Sequence, residues 1–279
     1  MITKLGRLLE EITGMAPSVL GDRILERALR ERMSACKLAD GTQYLQRVRL
    51  SPQETEALID AVVVPETSFF RNSGPFAFLC GYIRSEWLPA RSSEPLRVLS
   101  APCSSGEEPY SVAMMLQEAD LKPEEYTIDA LDISRALLRK AERAVYTPHS
   151  FRGVPDSLRD RYFVPAGNEY LLKETVRRGV RFIHGNLLDE NVLADEKPYD
   201  ILFFRNLLIY FGAEARSRVL KTVERLTVRN GLLFVGHAET ACFRATKFVP
   251  LQHQGAFGFR KGEASAAKME AGQEKLPPA

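Results

Sequence analysis

The chain has 279 residues, 45% of them hydrophobic and 27% charged, which describes an ordinary soluble globular protein with room for one large α/β domain and a smaller companion. A net charge of +2 is too small to mark a nucleic-acid binder. Cys36, Cys80, Cys103 and Cys242 lie far apart with no CxxC pair, which argues against a disulfide framework or a zinc site and suits a reducing cytosol.

Residues 1 to about 64 read as helices only. Leu5, Leu8, Leu9 and Ile12 recur at helical spacing, and Arg7, Glu10 and Glu11 interrupt them, so the start lacks the apolar run of a signal peptide. No later stretch is long and apolar enough to span a bilayer, and a cytoplasmic protein without direct membrane insertion is expected. Ile24, Leu25, Ala28 and Leu29 supply a second buried face. Arg23, Arg27 and Arg30 share the other side of that helix, a face suited to an acidic coiled-coil surface, although such a row is usually just solvated and Asp22, Glu26 and Glu31 lie close by. Ser51-Pro52-Gln53-Glu54 is a helix start, with Ser as N-cap and Pro at the first helical position, leading into the apolar Leu58, Ile59, Val62 and Val63.

From residue 73 the texture changes. Phe76, Leu79, Ile83 and Trp87 predict one more amphipathic helix, and strand-like runs then alternate with helical ones. Leu96–Ser100, Thr127–Leu131, Tyr199–Phe204 and Gly231–Val235 read as strands; Val112, Met115 and Leu116, then a Ser134-capped segment, then 213–226, read as helices. The alternation implies a mostly parallel sheet with right-handed crossovers. Residues 150–182 interrupt it with short strand candidates at 161–164, 170–172 and 180–183, read as a small β excursion. Lys247 to Arg260 looks like a closing hairpin turning at Gln254-Gly255. The last residues, 261–279, read as a disordered tail or linker.

Four stretches carry chemistry. Ser100 to Ser111 joins a strand to a helix, where doubly wound sheets place their ligands. Gly106 there permits close approach of backbone to a ligand, and an acid at the helix start would repel a pyrophosphate but hold a cationic amino group; a tight turn with two exposed glutamates is the plain alternative. The dinucleotide GxGxxG signature is absent, which disfavours an NAD-dependent dehydrogenase. Asp132 ends the next strand, 26 residues beyond Gly106 against the ~20 at which such an acid takes ribose hydroxyls, a spacing tolerable for a helix plus its loops; a helix-capping acid is the plain alternative, but Ser134 already serves as the cap. Asn206 follows a buried strand, with Tyr210 facing the same crevice or serving as a core aromatic. Val64 to Asn72 joins helices to sheet, and its Phe69-Phe70-Arg71 is more often interdomain packing than a site.

Together these segments resemble the CheR family of chemoreceptor glutamate O-methyltransferases. The resemblance rests on the T-x-F-F-R turn (Thr67 to Arg71), S-x-G-E-E-P-Y-S (Ser104 to Ser111), D-I-S (Asp132 to Ser134), N-L-L (Asn186 to Leu188), R-N-x-x-I-Y-F (Arg205 to Phe211) and G-L-L-F-x-G-H-x-E (Gly231 to Glu239). It implies an α/β fold: a Rossmann-like class I methyltransferase sheet at 73–260 with a small inserted β subdomain at about 150–182, after an N-terminal all-α domain at 1–72. Carried over by position, the S-adenosylmethionine site comprises Thr67, Arg71, Glu107, Asp132, Asn186, Leu187, Asn206 and Leu207, with no metal. Pro65-Glu66 departs from the family's Asn-x before the threonine, and Cys103 and Ser105 depart from the commoner Ala and Thr.

The implied partner is the cytoplasmic helical region of a chemoreceptor, met through Arg23, Arg27 and Arg30, with no nucleic acid and a monomeric enzyme. A glutamate carboxylate has a reference pKa of about 4.3 and needs no general base, so Arg71 and Tyr210 are assigned to orienting it. A small carboxylic acid as substrate, and a non-catalytic cofactor-binding regulator, are the competing readings.

Overall fold

The structure is a computed structural model that describes residues 1–90, 94–244, 246–253 and 255–262. Helices come first: α1 (Ile2–Thr13), α2 (Pro17–Leu20), α3 (Asp22–Ala35), α4 (Gly41–Leu50) and α5 (Pro52–Val62). Local chemistry sets their starts. Asp40 caps α4 by accepting from Thr42 N at 2.8 Å, and Ser51 Oγ caps α5 by accepting from Glu54 N at 3.3 Å. Helix α6 (Gly74–Tyr82) passes through a π turn at Ile83–Trp87 into the short α7 (Leu88–Ala90).

Strands and helices then alternate: β1 (Leu96–Ser100), α8 (Glu107–Glu118), β2 (Tyr126–Asp132), α9 (Arg135–Arg143), and, after an insertion, β6 (Val180–His184), β7 (Tyr199–Phe204), α12 (Ala213–Leu226) and β8 (Thr227–Val235). A hairpin of β9 (Phe248–Pro250) and β10 (Gly258–Lys261) closes the sheet. The order across this seven-stranded sheet is β6-β2-β1-β7-β8-β10-β9, parallel except where β10 runs against β8 and β9. Order reverses between β1 and β7, and the crevice outside their carboxyl ends is the place where such sheets bind ligands.

The sheet is buried on both faces, which is why its central strands are apolar runs. In β7, Leu202 and Phe204 join a cluster with Leu5, Leu8, Leu9, Leu58 and Val62 of the N-terminal helices, while Ile201 and Phe203 face Phe76, Leu79 and Val112. The N-terminal helices therefore share an apolar core with the sheet rather than enclosing one of their own.

The inserted β structure differs from expectation. It is a three-stranded sheet of order β3-β5-β4, formed by β3 (Val145–Tyr146), β4 (Phe163–Ala166) and β5 (Glu169–Leu172), with α10 (Asp156–Tyr162) before β4 and α11 (Glu174–Arg177) after β5. Arg161 and Tyr162 end a helix instead of starting a strand. Val180–His184, read as part of the excursion, is the edge strand of the main sheet, with Ile128 beside Val180 and Asp132 beside His184. A five-residue strand carries no local mark of which sheet it joins. In the closing hairpin Gly255 has φ +81°, while Gln254 and the tail at 263–279 lie outside the described residues.

Candidate functional site

A crevice opens at the carboxyl ends of β1, β2, β6 and β7, roofed by the N-terminal helices. Among the predicted residues, Thr67, Arg71, Asp132, Asn186, Leu187, Asn206, Leu207 and Tyr210 all line it. They arrive from segments separated by as many as 143 residues, from Thr67 to Tyr210, so only the fold brings them together.

Asp132 is only 3% exposed at the end of β2. Its Oδ2 accepts from Ser104 N at 2.7 Å and its Oδ1 from Ser134 N at 2.9 Å, and the Ile133 amide also pulls on the carboxylate, which still keeps lone-pair capacity. Burial raises the Asp132 carboxyl above the usual carboxylate range, against the opposing pull of these amide bonds. Ile133, Leu137 and Leu187 form an apolar wall of the same crevice.

The adjacent glutamates of α8 divide. Glu107 does not reach the crevice: its carboxylate accepts from Ser105 Oγ at 2.7 Å and Ser150 Oγ at 3.1 Å, joining the β1–α8 loop to the base of the insertion. Glu108 lines the crevice instead, accepting from Ser100 Oγ at 2.8 Å and Arg205 Nη1 at 3.0 Å. Burial pushes the Glu108 carboxyl up, and the Arg205 charge opposes it. Neither glutamate is the exposed turn residue of the plain alternative. Gly106 also has a different role from the one expected. A Cβ there would lie 2.8 Å from Ala141 Cβ and 2.9 Å from Tyr146 Oη, so the glycine admits neighbouring secondary structure rather than a ligand.

Arg71 comes from the segment after α5, and its Nη1 donates to Glu66 O at 2.6 Å. Its own carbonyl accepts from Arg205 Nη2 at 2.7 Å, so the buried Glu108–Arg205 pair fixes the backbone that carries Arg71. Phe69 is core packing, as the plain reading of that triplet held, stacking on Phe151 with ring centroids 5.1 Å apart. Phe70 (φ +52°), Asn72 (φ +55°), Ser104 (φ +50°) and Asn206 (φ +61°) are all non-glycine residues in the left-handed region and all belong to loops of this crevice. Each such residue costs on the order of 1–3 kcal/mol, and such strain gathers at functional sites.

Asn186 is tied to the roof: its Nδ2 donates to Ile12 O at 2.7 Å, while its Oδ1 accepts from Leu188 N at 3.0 Å. Arg23, Arg27 and Arg30 lie apart from the crevice as exposed residues of α3, with Arg27 near Glu31 at 4.0 Å.

The family described as "CheR methyltransferase, SAM binding domain" matches residues 65–255. The chain belongs to the CheR methyltransferase family. It is 44% identical over 256 residues to a probable biofilm formation methyltransferase, WspC, of Pseudomonas aeruginosa, covering 91% of this chain and 60% of that one. The WspC of Pseudomonas putida is 38% identical over 265 residues, covering 95% of this chain and 62% of that one. Chemotaxis protein methyltransferase 2 of Vibrio cholerae is 34% identical over 197 residues, covering 70% and 68%. The chain thus spans about three fifths of the two WspC proteins.

This CheR-type crevice contains residues that sequence reasoning missed. Glu108 was overshadowed by Glu107, since two adjacent acids at a helix start cannot be told apart by periodicity. Thr13, Met15 and Leu20 line the crevice from the N-terminal helices, where apolar spacing signals only core. Arg205 belongs to the R-N-x-x-I-Y-F motif, which by itself gives it no role. Glu239 follows Gly236 by three residues and accepts from its N–H, but glycine at that N-cap leaves no Ser/Thr-x-x-Glu signal in the sequence to mark it.

Proposed function

We propose that this CheR-type methyltransferase transfers a methyl group from S-adenosylmethionine to glutamate side-chain carboxylates in the helical cytoplasmic region of a chemoreceptor-type partner. The products are glutamate methyl esters and S-adenosylhomocysteine, made in the cytoplasm by a monomeric enzyme. The observation that carries this reading is that Arg71 and Tyr210 line the same crevice as Asp132, Asn206 and Leu207.

The residues present fit the cofactor. Asp132 keeps lone pairs for ribose hydroxyls beside an apolar wall suited to a base, and the buried Ser104 hydroxyl has no partner among the described residues. Thr67, Arg71, Asn186, Leu187, Asn206 and Leu207 would complete the site, with Glu108 as the acid at the start of α8 in place of Glu107. When bound, S-adenosylmethionine supplies an electrophilic methyl on a sulfonium. The acceptor carboxylate is ionised at neutral pH, so the protein's task is positioning. Arg71 holds one face of that carboxylate by charge-assisted hydrogen bonds, and the Tyr210 hydroxyl fixes its angle. The exposed arginines of α3 offer an acidic receptor helix a docking face.

Tritiated S-adenosylmethionine and receptor cytoplasmic domains test the reading. Label should enter the receptor and leave as methanol in base, the signature of a carboxyl methyl ester. Reversing Arg27 and Arg30 to glutamate should slow receptor labelling and leave S-adenosylhomocysteine binding unchanged. Base-stable label, or none, would overturn the proposal.

A further inference from the structure

We infer that Glu239 is the positioning residue that shapes the Asn206–Tyr210 wall of the crevice, an inference that rests on the functional reading above. Its side chain is fully buried, at 0% exposure, in the 3-10 turn after β8. Its Oε2 accepts from Asn206 N and from Gly236 N, both at 2.7 Å. Its Oε1 accepts from Leu207 N and from Leu208 N, both at 2.7 Å. One carboxylate therefore gathers successive amides from the loop after β7 and one from the loop after β8.

The local backbone explains why an anion is needed there. Asn206 is left-handed at φ +61° and Leu207 right-handed at φ −117°, ψ −45°, the alternation that turns consecutive N–H groups toward one point and makes an anion-binding concavity. Buried with no acceptor, those amides would each carry a desolvation penalty, and a neutral side chain cannot satisfy all of them. Glu239 is the chain's own anion in that concavity. Gly236 makes the seat possible, since a Cβ there would lie 2.6 Å from Glu239 Oε2 and 2.9 Å from Asn206 Nδ2.

The shape fixed in this way reaches both ends of the chemistry. Asn206 and Leu207 line the crevice, and Leu207 O accepts from Tyr210 N at 3.0 Å, closing the turn that presents the tyrosine. Glu239 itself is not among the crevice-lining residues. It acts through the loop.

Glu239→Gln tests the inference, because it keeps size and replaces one acceptor oxygen by an amide that faces N–H donors. Calorimetric titration of the full chain with S-adenosylhomocysteine should show at least a tenfold loss of affinity. Phe243→Leu, a cavity variant of a buried residue in the same turn, is the control. It should lower the thermal midpoint by at least as much and bind within twofold of wild type. Equal binding by Glu239→Gln and wild type, or an equal loss in Phe243→Leu, overturns the inference.

Hydrogen exchange on the wild-type chain gives a reading that needs no variant to fold. The amides of Asn206, Leu207 and Leu208 should be strongly protected without ligand, and exchange at loop rates would sink the idea. A wild-type chain that ignores S-adenosylhomocysteine while those amides stay protected overturns the functional reading, and the inference falls with it. Binding by wild type with no loss in Glu239→Gln overturns the inference alone.

Discussion

Arg71 and Tyr210 are separated by 139 residues of chain, yet both line one crevice. Their division of labour follows from what each offers. Arg71 brings a fixed charge on a backbone clamped by Arg205, and on the function proposed above Arg71→Ala removes a charge-assisted grip on the acceptor. A misplaced acceptor costs roughly 10²-fold in rate, and that is the expected fall in methyl transfer. On the same reading Tyr210→Phe deletes one hydrogen bond to an ionised carboxylate, worth about 1.5–3 kcal/mol, which corresponds to a loss of roughly 10- to 10²-fold. Steady-state labelling at saturating cofactor checks both, and wild-type turnover in either variant would remove that residue from the mechanism. At this scale the sequence was informative where a residue type has little else to do. An acid closing a buried strand is conspicuous, whereas Phe69-Phe70-Arg71 reads as packing and Arg71 is singled out only by the family resemblance. Glu107 and Glu108 were not separable, because their different directions arise from Ser150, Ser100 and Arg205, all distant in sequence.

Among elements, α3, α4 and α5 meet at a polar knot. Glu54, 7% exposed, accepts from Arg32 Nε at 2.9 Å, Arg32 Nη2 at 2.6 Å, Cys36 Sγ at 3.1 Å and Tyr44 Oη at 3.0 Å. Burial alone would raise the Glu54 carboxyl, but the hydrogen bonds from Arg32, Cys36 and Tyr44, with the Arg32 charge, hold it below the ordinary carboxylate range. The folded value is the lower one, so the stabilisation is complete above about pH 4.3 and fades as pH falls through the folded value. Glu54→Gln should destabilise by roughly 2 kcal/mol at pH 7, less than the ~3–5 for a fully buried pair because Arg32 is 24% exposed. The gap in thermal midpoint between the variant and wild type should then shrink toward pH 3. A gap of constant size would show that the knot works without its charge. The sequence announced the helix start at Ser51 and not this knot, since a capping-box glutamate normally reaches its own helix end. Strands were legible for a related reason: β1, β7 and the end of β8 are apolar because both faces are covered. The edge strand β6 is half-covered, which left its sheet membership open.

At the scale of the whole molecule, the helices and the sheet share one apolar cluster, in which Leu5, Leu8 and Leu9 pack in the same body as Leu99, Leu131, Leu202 and Phe204. Helical periodicity revealed an apolar face on α1 but could not say what it covers, so a self-contained helical domain was the natural expectation. The backbone joins the parts further, with Ala16 N donating to Tyr210 O at 2.8 Å and Met15 bridging to Phe211. Thr13 and Met15 line the crevice, so the roof belongs to the site as well as to the core. Unfolding of the helices would expose one face of the sheet and open the crevice together, which makes separate melting unfavourable. Calorimetry should therefore record a single transition whose midpoint rises with S-adenosylhomocysteine. Leu9→Ala, at a fully buried position in α1, should cost about 2–5 kcal/mol and lower that one midpoint by roughly 5–15 °C while keeping the transition single. Two resolved transitions, with Leu9→Ala moving only the lower and the ligand only the upper, would show that the helices fold apart from the sheet and that the roof is dispensable for binding.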